Sequence, residues 1–171
     1  MLICPVCQAP LSEADGGVAC EAGHRFDRAR QGYLNLLPVQ HKKSRDPGDN
    51  AAMVEARRRF LEGGHYAPLA KRLAELAAER GPQRWLDIGC GEGYYTAQIA
   101  EQLPQAEGYA LDISREAVKR ACKRAPQLTW LVASMALPAR RLRQRAGSIM
   151  GPARRSMQCH FWCLTSMARA S

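Results

Sequence analysis

Residues 86–94, Leu-Asp-Ile-Gly-Cys-Gly-Glu-Gly-Tyr, constrain the fold of this chain more than any other stretch. A short apolar strand from Arg84 to Ile88 leads into glycines 89, 91 and 93, and a helix from about Tyr95 to Leu103 follows at once. Glycine allows the sharp turn and lets the backbone pass close beneath a ligand, so a strand–glycine–helix run opens a parallel α/β unit. The surrounding pattern agrees. Ala51 to Leu61 reads as a helix capped by Asp49 or Asn50. Tyr66 to Arg80 reads as a second, with Leu69, Leu73 and Leu76 on one face and Gly81-Pro82 at its end. Gly108 to Leu111 and Leu128 to Ala133 are strand-like, separated by a helix that Ser114 caps and that runs to Arg124. Strand–helix–strand–helix–strand is the first half of a doubly wound sheet. We therefore expect an α/β chain with a small N-terminal zinc-binding module (1–37), a linker (38–50), the first half of a Rossmann-like sheet (51–134) and an irregular basic tail (135–171).

Charge says less than its total suggests. The formal charge is +9, yet seven of the 25 basic residues are arginines beyond Met135, where there is no acid. Residues 1–134 are close to balanced, so overall basicity is weak evidence for nucleic acid. No apolar run approaches a membrane span, and the N-terminus lacks the charged-then-apolar order of a secretory signal; we expect a cytoplasmic protein with no membrane partner.

Three of the seven cysteines lie before residue 21, beside a histidine. Cys4-Pro-Val-Cys7 and Cys20-Glu-Ala-Gly-His24 form C-x2-C-x12-C-x3-H, two close ligand pairs joined by a hairpin that Gly16-Gly17 allows to turn back. Zinc takes thiolate and imidazole ligands tetrahedrally, and such pairs on turns supply that geometry. Four protein ligands make a closed, structural Zn2+ site. So short a stretch cannot bury a core alone, so metal would supply much of its folding energy. The knuckle could equally touch RNA.

The glycine loop admits two cofactor classes. A dinucleotide site wants G-x-G-x-x-G with a pyrophosphate at the helix N-terminus. Here Asp87 precedes strictly alternating Gly89, Gly91 and Gly93, the form seen in S-adenosylmethionine sites, and Asp112 ends the next strand, where an acid can accept both ribose hydroxyls. Glycines serving only a tight turn, and Asp112 capping the next helix, are the structural alternatives. Cys90 reads as a packing residue, since no histidine neighbours it in sequence.

The zinc pattern, the block Gly32-Tyr-Leu-Asn-Leu-Leu-Pro-Val-Gln-His-Lys-Lys-Ser-Arg-Asp-Pro-Gly-Asp49, Ala56-Arg-Arg-Arg-Phe-Leu with Gly64-His-Tyr66, and Leu86 to Tyr95 together resemble the bacterial 23S rRNA guanine-N1 methyltransferases of the RlmA type. The resemblance runs from Cys4 to about Ser134. It implies zinc on Cys4, Cys7, Cys20 and His24, and S-adenosyl-L-methionine contacted by Tyr66 and the Gly91-Glu92 step. It also implies a guanine in a 23S rRNA hairpin loop as substrate, and a homodimer. Guanine N1 carries a proton at neutral pH, so some group must take it. Asp46 and Asp49 are acids in the distinctive block, with turn and helix-cap roles as the plainer assignment. His41, Lys42, Lys43 and Arg45 form a basic run that could track phosphates or be a solvated linker. Arg57-Arg58-Arg59 reads as a solvated helix face with one residue reaching substrate. A small-molecule methyltransferase, and a non-catalytic RNA-binding zinc module, are the competing readings.

After Ser134 the resemblance fails, with Leu137-Pro138 its last echo. The acid-free tail reads like a gene translated out of frame, or a basic RNA-binding extension, and its Cys159, His160 and Cys163 as an accidental cluster. Three strands alone would leave one sheet edge unpaired and one apolar face uncovered, and an active site without its second half, so weak or absent activity is the expectation.

Overall fold

The computed structural model describes residues 2–38 and 47–134. The basic run from His41 to Arg45, Asp46 and the whole tail from Met135 lie outside the described residues.

The N-terminal module is an antiparallel meander of three short strands, β1 (Ser12–Ala14), β2 (Gly17–Ala19) and β3 (Arg25–Asp27), in the order β1-β2-β3. Ala14 pairs with Gly17 across a two-residue Asp15-Gly16 turn, a strong hairpin signal. A fourth strand, β4 (Leu34–Asn35), keeps a single antiparallel bridge to this module, Leu34 opposite Arg28, and crosses into a second sheet. It joins a parallel sheet of β5 (Arg84–Ile88), β6 (Glu107–Asp112) and β7 (Thr129–Val132), in the order β4-β7-β6-β5. Leu34 sits opposite Leu131 and Asn35 opposite Val132, and the Leu36 N–H donates to the Val132 carbonyl at 2.9 Å.

Four helices complete the described chain: α1 (Ala51–Glu62), α2 (Ala67–Arg80), α3 (Tyr94–Gln102) and α4 (Arg115–Arg124). Asn50, not Asp49, caps α1, its side-chain oxygen accepting from Met53 N at 3.0 Å. Ser114 caps α4 through Ala117 N at 3.2 Å. The buried face of α2 is Ala70, Leu73, Ala74 and Ala77, whereas Leu69 is exposed. The small residues let α2 lie close against α3, and Leu69 falls outside that contact. The expected Leu69 face is corrected accordingly.

Strand alternation divides the core. Ala110, Trp130 and Val132 point to α3 and α4, where they meet Ala100, Val118, Ala121 and Cys122. The Trp130 indole N–H donates to the Ala125 carbonyl at 2.8 Å. Leu86, Ile88, Leu111 and Leu131 point the other way, and there they meet Cys4, Leu11, Val18 and Cys20 of the N-terminal module. The expectation of an uncovered apolar face is thus overturned, because the zinc-type module occupies it. The edge at β7 is also covered, by β4, while β5 is the terminal strand of the sheet among the described residues. No helix among the described residues is long and apolar enough to cross a membrane.

Leu34 is buried to 1% exposure in the seam between the two parts. Leu34→Ala is expected to cost about 2–5 kcal/mol, the usual range for emptying a packed leucine site. Urea unfolding should then show one lowered midpoint for both parts; loss of the meander alone would contradict the shared core.

Candidate functional site

The first constellation is the cysteine–histidine quartet. Ligand atoms of Cys4, Cys7, Cys20 and His24 all lie within 4.8 Å of one another. Two knuckle turns place them. Gln8 N donates to the Cys4 carbonyl at 2.9 Å and Val6 N to Cys4 Sγ at 3.4 Å; Gly23 N donates to the Cys20 carbonyl at 2.9 Å. Cys7 Sγ is 3.6 Å from Cys20 Sγ, and Cys20 Sγ is 3.3 Å from His24 Nδ1. With metal–sulfur bonds of about 2.3 Å, a tetrahedron has S···S edges of about 3.8 Å and S···N edges of about 3.6 Å, so this set fits one zinc ion. Burial works against the Cys20 thiolate, but hydrogen bonds from the His24 side chain and backbone and from Cys7 outweigh it, bringing its pKa down to about 6. That favours the deprotonated form a metal requires. Cys4 is fully buried in the core shared with the sheet, so the quartet touches the α/β part rather than hanging from it.

The second constellation lies at the C-terminal ends of β5 and β6. Gly89 N and Cys90 N both donate to the Leu111 carbonyl, at 2.8 and 3.1 Å, which ties the loop to β6. Asp112 is buried, with Oδ2 accepting from Gly91 N at 2.9 Å and Oδ1 from Ser114 N at 2.8 Å. A carboxylate oxygen has two acceptor positions, so each keeps room for a hydroxyl. Gly91 has φ +55°, and a β-carbon there would project into open space. Gly93 serves packing instead: at φ +83° a β-carbon would lie 3.0 Å from both Ala121 Cβ and the Trp130 ring. Asp87 is engaged by the fully buried Thr96, whose hydroxyl donates to Oδ2 at 2.6 Å, tying the strand to α3. Burial, and then the carboxylates of Asp87 and Asp112, push the Cys90 thiol well above its usual range, as suits a packing residue.

Glu92 and Tyr66 take separate positions. Glu92 is only 2% exposed, and its carboxylate turns to α4, where Arg124 Nε donates to Oε2 at 2.7 Å. Arg124 also pairs with Glu62 of α1 at 2.8 Å and sits over the Tyr94 ring, 5.9 Å from its centroid. Glu62 in turn binds Arg58, Arg58 binds Glu55, and Glu55 binds Arg120. Hydrogen bonding from Arg58, then from Arg120, holds Glu55 down to about 2. The glycine loop is thereby linked through charges to α1, a connection that sequence reading missed. Its trace is the matched spacing of Glu55 and Glu62 on one helix and Arg120 and Arg124 on another, but nothing in the sequence says those faces meet. Tyr66 precedes α2 and lies against Phe60, ring centroids 5.5 Å apart.

Asp49 pairs with Arg57, and its backbone carbonyl accepts from Ser114 Oγ at 2.6 Å. This contact pins the start of α1 beside Asp112. A pocket of about 300 Å³ opens there, lined by Asn35, Leu37, Asp49, Ile113, Arg115 and Glu116 among others.

Two family models match the chain: "RlmA, N-terminal", a zinc ribbon, over residues 2–45, and "Methyltransferase domain" over residues 82–135. A 23S rRNA (guanine(748)-N(1))-methyltransferase of Streptomyces fradiae is 44% identical over 138 residues, covering 78% of this chain and 48% of that protein. The chain carries the RlmA-type zinc ribbon followed by a methyltransferase domain. It spans about half the length of the curated relatives it matches. A trans-aconitate 2-methyltransferase of Methylobacterium radiotolerans is 39% identical over 76 residues, 44% of this chain and 29% of that one. The crystal structure of Streptomyces venezuelae DesVI overlaps 52% of this chain and 37% of its own, at 24% identity and a TM-score of 0.40.

Arg124 is 27% exposed, but the Glu92 carboxylate it neutralises is buried. Arg124→Ala strands that charge, and a loss of about 3 kcal/mol is expected, the low end for breaking a buried pair. Chemical denaturation at neutral pH measures it; an unchanged midpoint would show that the pair contributes nothing.

Proposed function

We propose that this chain carries the front of an S-adenosylmethionine-dependent methyltransferase that acts on N1 of a guanine in a 23S rRNA hairpin loop. The observation that carries the reading is Asp112, buried at the end of β6 with Gly91 N on one oxygen and a free acceptor position on each. This is the arrangement a ribose diol needs beside a glycine turn that gives it room. Gly89, Gly91 and Gly93 shape that turn, Asp87 braces it through Thr96, and Glu92 braces it through Arg124. Tyr66 stands at the start of α2, against Phe60. When bound, S-adenosylmethionine supplies a methyl group made electrophilic by its sulfonium centre.

The rRNA substrate is supported by the 44% identity to the Streptomyces fradiae enzyme over 78% of this chain. A looped-out guanine suits the chemistry, since pairing would occupy its N1. Asp49 acts as a brace in this scheme: its carboxylate serves Arg57 and its carbonyl serves Ser114. Cys4, Cys7, Cys20 and His24 hold one structural zinc, which cross-links the two knuckle turns of the ribbon that covers one face of the sheet.

Three measurements test this. Calorimetry with S-adenosylmethionine should show one site, and Asp112→Ala should weaken it by tenfold or more; no heat with the parent chain sinks the cofactor reading. Elemental analysis should find one zinc per chain. Its removal by a chelator should lower the melting temperature of the α/β part as well, because Cys4 and Cys20 belong to the shared core. Mapping of N1-methylguanine in 23S rRNA from cells with and without the gene tests the substrate, and identical maps would refute it.

A further inference from the structure

The run Arg57-Arg58-Arg59 looks uniform in sequence but is divided in the structure. Arg57 pairs with Asp49, and Arg58 is shared by Glu55 and Glu62. Arg59 is exposed, and its guanidinium has no hydrogen bond or ion pair with any described residue. The next residue, Phe60, is 57% exposed, and its ring leans on Tyr66 at a 54° tilt. Tyr66 is itself 39% exposed, and Glu62 at the end of the same helix as Phe60 pairs with Arg124, which also holds Glu92 of the glycine loop. An exposed aromatic pair with an uncommitted cation beside it therefore borders the proposed cofactor site.

Resting on the RNA reading above, we propose that the C-terminal end of α1 is the seat of the target nucleobase, which stacks on Phe60 while Arg59 holds the adjoining phosphate. Bases stack on aromatic faces irrespective of sequence, and arginine meets phosphate with charge-assisted hydrogen bonds. The charge pattern selects this occupant. An apolar protein surface would leave Arg59 without a counter-charge, whereas a nucleotide brings a flat π-face and an anion together. Tyr66, in ring contact with Phe60, would orient the base toward the methyl donor. Ala56-Arg-Arg-Arg-Phe-Leu then divides its labour by position: two arginines assemble the protein and the third, with the ring, meets the substrate.

The test uses the full chain and a short RNA hairpin carrying 2-aminopurine at its unpaired loop purine, whose emission is quenched on stacking. The parent chain should bind with quenching. Phe60→Ala should weaken binding on the order of tenfold and restore emission. Phe60→Trp should keep both, and because Phe60 is exposed, neither change should disturb folding, which circular dichroism checks. Arg59→Ala should weaken binding and reduce the slope of log affinity against log salt by about 0.7, and Arg59→Lys should recover most of it. Unchanged affinity and emission in Phe60→Ala would overturn the inference while leaving the RNA reading intact. So would conversion of a dimer to a monomer by that substitution with RNA binding preserved, since the ring would then be a contact between copies. If the parent chain binds S-adenosylmethionine but no hairpin, the RNA reading and this inference fail together.

Discussion

The seam along Leu34, Leu111 and Leu131 organises the molecule. A parallel sheet has two apolar faces, and each must be covered for the strands to stay out of water. In this chain α3 and α4 cover one face and the zinc-ribbon module covers the other, with Cys4, Leu11, Val18 and Cys20 in the same cluster as the sheet leucines. The ribbon is too small to bury a core of its own, and the sheet cannot leave Leu86, Ile88, Leu111 and Leu131 exposed. Each part supplies what the other lacks. The two residues of β4 convert this contact into continuous hydrogen bonding, and Leu36 extends it to Val132.

Helix α1 is attached on different terms. Only Val54 and Leu61 of its twelve residues are buried. Its fixed points are polar: Asp49 to Ser114, Glu55 to Arg120 and Glu62 to Arg124. Exposed pairs are individually weak, but the last of these continues into the buried carboxylate of Glu92, where loss of a partner carries a real penalty. The helix bearing Phe60 and leading to Tyr66 is therefore coupled to the glycine loop by charge rather than by apolar area. A surface that must admit a large ligand gains from such an attachment, because polar contacts can be exchanged with water at less cost than a packed core can be opened.

The metal quartet was legible in spacing alone, since four ligands on two short turns leave little freedom. The α/β order was legible as well, because β5 to β7 and their helices are long enough to show a period, and Ser114 announced its helix. The β4 strand was not legible: two residues carry no alternation, and their partner lies almost a hundred residues away. For the same reason the sequence left the second sheet face bare. The capping choice between Asp49 and Asn50 turned on a tertiary contact, Asp49 being drawn off by Arg57 and Ser114. Leu69 was placed on the buried face of α2 because leucine usually leads such a face, yet α3 approaches over alanines instead.

The arginine run shows what lies between these cases. Three adjacent arginines on a helix point in three directions, about 100° apart, so they cannot share one environment. The sequence nonetheless reads as one solvated face, and leaves open which of the three reaches substrate. The carboxylates decide it. Asp49 takes Arg57 and Glu55 with Glu62 takes Arg58, all from within or just before the same helix, and the acids of α1 are thereby spent before Arg59 is reached. A cation left over by this local accounting, next to an aromatic ring left over by the local packing, is a consequence of the same helix geometry that binds the other two. The substrate-facing role proposed for this end of α1 rests on what the protein itself does not use.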